Sequence, residues 1–206
     1  MLIDVTQGAN IGVLTSNKKG SQTLKVEIGR WLKEFDGEVK EDSMKVITCG
    51  IHNLGTHIDM MNPMEIEKER FIASGIKFDI SNIIDRPVEL TDLDLSLIEE
   101  GIYVLFQTNW DKYLGDEKSF NHPEVSMEVL KYLVSKKINM IGIDCLGLAK
   151  GKNHLIFDKY AADNKTYIIE NLTNLNNIPN NRFKVYCFPL KIEALDAVPA
   201  RILVEV

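Results

Sequence analysis

The sequence predicts a mixed α/β fold built on a single sheet, and three observations carry that expectation. Short apolar runs of strand length recur along the chain with helical segments between them, which is the pattern of a layered α/β architecture rather than of a bundle or sandwich. A length of 206 residues suits one domain, spanning 1–206, with a sizeable core. Hydrophobic residues at 45% and charged residues at 26% are ordinary for a folded globular chain.

The strand expectations are Lys45 to Thr48, Tyr103 to Thr108, Met140 to Asp144, Tyr167 to Glu170, Phe183 to Pro189 and Arg201 to Val206, each a compact apolar run. The segment from Thr23 to Glu41, containing "LKVEIGRWLKEF", fits either period and is read as strand. One helix is well marked after His122. Pro123 suits its first turn, Glu124 follows, and Val125, Val129, Leu130, Leu133 and Val134 make one apolar stripe. Lys136 and Lys137 suit its C-terminal end, where the helix dipole favours cations. The polar stretches Lys112 to His122 and Leu146 to Asn153 read as surface loops.

A net charge of -6 and a pI near 5.3 give no basic footprint for nucleic acid or an anionic membrane surface, so a small molecule is the expected partner. The N-terminus has no basic segment followed by a long apolar run, and no apolar stretch approaches the roughly 18 residues that span a bilayer. Cys49, Cys145 and Cys187 are odd in number and widely spaced within apolar surroundings. They read as reduced core thiols of a cytoplasmic protein.

The chemistry concentrates in "HNLGTHIDMMNPM", His52 to Met64. If Asn53 to Asp59 is extended, the period of two places Asn53, Gly55, His57 and Asp59 on one face, with His52 and Thr56 on the other. An imidazole and a carboxylate two residues apart on one strand face can bind one cation, although a hydrogen-bonded strand pair has the same spacing. Further along, His154 follows the Gly/Lys loop, and Glu170 closes the apolar run Tyr167 to Ile169. A carboxylate at the end of a buried strand needs a partner, because an unpaired buried charge is expensive. Trp31, Trp110 and Tyr113 are candidates for a pocket wall or for the core.

Taken together the chain resembles the cyclase family that includes bacterial kynurenine formamidase and isatin hydrolase, whose hallmark is His-x-Gly-Thr-His-x-Asp-x-Pro-x-His. The likeness extends to "IDVT" at Ile3 to Thr6, "VLFQTNWDKYLG" at Val104 to Gly115, "IGIDCLG" at Ile141 to Gly147, "IIENLTNLNNIP" at Ile168 to Pro179 and "FPLKIEALDAVPARILV" at Phe188 to Val204. The resemblance implies a swivelling β/β/α fold and a divalent metal, zinc or manganese, roughly one or two per chain. It also implies a homodimer or homotetramer. Carried over by position, His57 and Asp59 match the second His and the Asp of the hallmark, Asp59 falling at the bridging position. His154 and Glu170 match the distal ligands.

The departures are specific. Asn53 stands where the hallmark has its first His; its neutral amide oxygen remains a possible ligand that suits harder cations than zinc. Pro63 stands where the family has its acid/base His, and Met61 where it has Pro. His52 adjoins the first ligand position, but on a regular strand it points away, so only a bulge would bring it in. With Pro63 unable to carry a proton, Glu65 is the nearest catalytic candidate by sequence, with Glu67 and Glu69 behind it.

Two functions are therefore expected. One is a metal-dependent hydrolase of amide, formamide or cyclic amide C–N bonds, arylformamidase-like, acting on a small-molecule substrate, with aromatic amides among the candidates. The other is a catalytically impaired relative that binds a metal or small ligand without turnover. The segment "QGANIGVLTSNKKG" lacks the Trp and Pro expected of a formamidase pocket.

Overall fold

In the computed structural model, which describes residues 1–8, 25–48, 52, 55–61, 65–192 and 195–206, eight strands form one mixed sheet and two more a separate hairpin. The strands are β1 (Leu2–Asp4), β2 (Lys25–Phe35), β3 (Glu38–Thr48), β4 (His57–Asp59), β5 (Ile72–Asp79), β6 (Tyr103–Gln107), β7 (Met140–Ile143), β8 (Tyr167–Glu170), β9 (Phe183–Pro189) and β10 (Ala197–Glu205). Two α-helices, α1 (Met127–Ser135) and α2 (Lys152–Asp163), and several short 3-10 turns are the other described elements.

The large sheet runs β1-β10-β4-β8-β7-β6-β5-β9, and β9 pairs again with β10, so the sheet closes into a ring. Strands β5 to β8 are mutually parallel, while β4, β9 and β10 are antiparallel to their neighbours. Along the edge of β10 opposite β9, β1 pairs with Leu203 to Glu205 and β4 with Ala197 to Pro199, so these two short strands lie end to end. The hairpin of β2 and β3 turns at Asp36-Gly37, both at positive φ (52° and 77°). That is the two-residue turn whose twist matches a β-hairpin.

Alternation along β6 shows how the core divides. Tyr103 and Leu105 point inward with Met140, Ile169, Val185 and Ile202, filling the ring. Val104 and Phe106 point outward with Ile141 and Ile168, and α1 (Val129, Leu130, Leu133) and α2 (Phe157, Ala161) cover them. Strands buried on both faces read as unbroken apolar runs, which is why the sequence signals them so well. Each such side chain contributes on the order of 1.5–3 kcal/mol.

The expected runs correspond to β3, β6, β7, β8, β9 and β10, and the ambiguous segment is strand β2. The marked helix exists but begins later. Its N-cap is Ser126, whose hydroxyl accepts from the Val129 amide, while Val125 precedes it and bridges to Val88. Lys112 to His122 holds short 3-10 turns at Asp111–Tyr113 and Glu117–Asn121. Helix α2 starts inside the stretch expected to end as loop at Asn153. Among the described residues no helix is long and apolar enough to cross a membrane.

Candidate metal centre

The outer face of the ring carries charge at one place, between β4, β8 and α2. His57 on β4 stands opposite Glu170 on the antiparallel β8, and Asp59 opposite Ile168, so His57, Asp59 and Glu170 share a face. The intervening Ile58 and Ile169 point into the ring. Helix α2 adds His154 and Asp158, four residues apart and hence on one side of the helix. His57 Nε2 lies 3.5 Å from Glu170 Oε2 and 3.7 Å from Asp59 Oδ1. His154 Nε2 lies 3.2 Å from Asp158 Oδ2 and 3.6 Å from Glu170 Oε1.

His52 also reaches this cluster, its Nδ1 3.0 Å from His57 Nε2 and 3.3 Å from Asp59 Oδ1. This corrects the expectation that it faces away. Strand β4 begins only at His57, and Gly55 sits at φ 93°, so the alternation assumed from Asn53 onward does not apply. His52 Nε2 stands 3.5 Å from Asp196 Oδ2. Among the described residues, ligand-capable atoms thus form two groups that share Asp59: His52, His57 and Asp59, and Asp59, His154, Asp158 and Glu170. Asp158 was missed because nothing in the sequence separates it from the other acids of a charged helix; the signal available was its i+4 spacing from His154.

The hydrogen-bond arrangement favours a cation. His57 Nδ1 donates to the Gly55 carbonyl at 2.8 Å and His154 Nδ1 to the Ala149 carbonyl at 3.2 Å, which leaves both Nε2 lone pairs turned toward the carboxylates. Among the described residues, both oxygens of Asp59, both of Asp158 and Oε1 of Glu170 are buried without a hydrogen-bond partner. Among the described residues no lysine or arginine pairs with them. Burial pushes all three carboxyls above the ordinary range; for Asp59 the neighbouring Glu170 charge adds to it, and for Glu170 that of Asp158. Burial lowers His154, but the charges of Glu170, Asp158 and Asp59 outweigh it and hold the imidazole above its usual value. These donors, buried and short of positive charge, fit divalent metal ions.

Local backbone makes the room. At Gly147, φ is 106° and an added Cβ would stand 2.5 Å from Glu170 Oε1 and 2.7 Å from His154 Cε1. At Gly55 a Cβ would run into the Gln7 carbonyl. Next to it the Thr56 hydroxyl donates to the Asn171 carbonyl at 2.6 Å and accepts from the Gln7 amide at 2.7 Å, locking β4 to the ends of β1 and β8.

A cavity of about 790 Å³ opens over the cluster, with His52, His57, His154 and Glu170 in its wall. Leu114, Phe120, Leu146 and Leu155 give it an apolar side, and His122 and Lys150 a polar one. His122, expected as a loop residue, is buried there with Nδ1 donating to the Pro123 carbonyl, and burial lowers its pKa.

Other candidates fall elsewhere. Glu65 is exposed and paired with Lys191 at 3.0 Å, and Glu67 pairs with Arg70, so the structure does not bring either to the cluster. Trp110 packs against the outer core and the edge of Tyr113, with ring centroids 4.9 Å apart. Cys145 and Cys187 are buried free thiols, pushed well up by burial. Asn53, Pro63, Cys49 and residues 9–20 of the N-terminal segment lie outside the described residues, as does the side chain of Trp31.

A family model described as "Putative cyclase" matches residues 12–150. The chain belongs to the cyclase family. Within reach of that family, isatin hydrolase of Roseibium aggregatum is 26% identical over 216 aligned residues, covering 88% of this chain and 81% of that protein. The solved structure of a potential metal-dependent hydrolase with cyclase activity superposes with a TM-score of 0.73 at 26% identity, covering 99% of this chain and 96% of the other. An isatin hydrolase bound to the product analogue thioisatinate superposes at 0.75 with 25% identity, covering 100% and 92%.

Proposed function

We propose that this chain is a metal-dependent hydrolase of small amides, cyclic amides foremost and aryl formamides second, using zinc or manganese. The observation that carries the reading is the set of buried carboxylate oxygens that have no donor among the described residues, facing imidazole lone pairs at the wall of a cavity. The likeness to isatin hydrolase, a protein named for cyclic amide hydrolysis, supports the substrate class. Divalent ions bound there would lower the pKa of water and polarise a carbonyl oxygen. The chain's own part is orientation: the Gly55 and Ala149 carbonyls fix the tautomers of His57 and His154, and Leu114, Phe120, Leu146 and Leu155 offer an apolar wall to a flat ring.

Proton transfer is the step this chain must arrange differently, because Pro63 replaces the residue to which the resemblance assigns it. Outside the metal cluster, His122 is the imidazole that lines the cavity; with Nδ1 donating to Pro123, its Nε2 remains an acceptor. Pro63 also favours a second reading, a relative that binds but turns over slowly. Rates of isatin and aryl formamide hydrolysis, with added Mn²⁺ or Zn²⁺ and after chelation, separate the two. Metal-dependent turnover that falls about 10²–10⁴-fold in His122→Gln is expected. Absence of turnover with every metal would favour the binding protein.

A further inference from the structure

The two ligand groups that share Asp59 are chemically unlike, and the difference lies in Asp158. One group offers two imidazoles and a carboxylate, His52, His57 and Asp59; the other offers one imidazole, His154, and three carboxylates, Asp59, Asp158 and Glu170. Asp158 is 1% exposed on α2, where the neighbouring Leu155 and Ile156 are largely exposed. A buried aspartate in a helix interior is unfavourable both by propensity and by desolvation, so it needs a compensating partner.

A proton does not suffice. His154 commits Nδ1 to Ala149, which leaves Nε2 as the one position that could donate to Asp158 or Glu170. His52 and His57 face Asp59, so His154 Nε2 is left to answer three buried oxygens, both of Asp158 and Oε1 of Glu170, that have no hydrogen-bond partner among the described residues. The ligand atoms of the group lie within 4.8 Å of one another, close to the span across an ion with bonds of about 2.1–2.3 Å.

We propose that Asp158 makes the position it shares with Asp59, His154 and Glu170 a seat for a hard, oxygen-preferring dication such as Mn²⁺, unlike the imidazole-rich position at His52, His57 and Asp59. The inference rests on the reading of the cluster as a metal centre and adds a ligand and a selectivity to it. Oxygen ligands favour Mn²⁺ and Mg²⁺, whereas imidazole suits Zn²⁺. Zn²⁺ outranks Mn²⁺ at almost any such site, so the selectivity is read as a ratio of losses.

Titration of the chelator-stripped chain with MnCl₂ and with ZnCl₂, followed by calorimetry and by the Mn²⁺ paramagnetic resonance spectrum, tests this in the natural protein, Asp158→Asn and Asp158→Ser. Both variants should weaken Mn²⁺ binding by about 10–100-fold and alter its spectrum, while the tightest Zn²⁺ affinity changes far less. The melting temperature of the metal-free variants should be unchanged or higher, since an uncompensated buried charge has been removed. Unchanged Mn²⁺ affinity and spectrum in either folded variant would overturn the role of Asp158 while leaving the metal centre standing. A natural protein that binds neither ion would overturn the metal centre itself, and this inference with it.

Discussion

At the scale of single residues, the first imidazole of the centre comes from an unexpected position. His52 Nδ1 stands 3.3 Å from Asp59 Oδ1, with Asp196 behind its other nitrogen. A carboxylate behind a ligating imidazole fixes its tautomer and raises its basicity, so this arrangement suits a ligand. His52→Ala should therefore weaken the tightest Zn²⁺ binding by about 10–100-fold, and Asn53→Ala should leave it within about threefold, as read by chelator competition. The reverse order of losses would return Asn53 to the place that family resemblance gives it.

At the scale of elements, the cluster depends on β4 and β8 being in register and on α2 docking over them. Gly147 is a point where that packing is tight, because its position at φ 106° lets the chain pass against Glu170 and His154. Gly101 offers a control, since it too has positive φ (79°) but open space where a Cβ would go. Either alanine variant should lose about 1–2 kcal/mol to backbone strain, about 2–8 °C in melting temperature. Only Gly147→Ala should also lose metal; equal metal binding in both variants would show that the glycine serves the turn alone. The strands β6 to β8 were legible in the sequence because burial on both faces leaves an unbroken apolar run. Strand β5 was not, since "IASGIKFD" interrupts its apolar residues with Gly75, which admits Phe183 and Val185, and with Lys77. Lys77 is buried because Gln107 and the Leu175 and Ile178 carbonyls accept its protons. Helix α2 gave no clear apolar stripe because its buried side includes His154 and Asp158, so the residues that build the site also hid the element. His57, Asp59, His154 and Glu170 could be named from motif positions, whereas His52, Asp158 and His122 needed the backbone path that brings them in.

Across the whole molecule, the candidate centre gathers His52, His57, Asp59, His154, Asp158 and Glu170 from distant parts of the chain onto the outer wall of a closed ring. Three carboxylates crowded there with few donors oppose folding, and a dication bound there would reverse that penalty and link occupancy to stability. Asp59 belongs to both ligand groups and is the residue on which the assembly turns. The most direct test is the metal content, by elemental analysis, of the natural protein and of Asp59→Ala, both purified without chelators. At least one divalent ion per chain is expected in the natural protein, with most of it lost in the variant. Full occupancy in Asp59→Ala, or a natural protein that carries and takes up none, would contradict it.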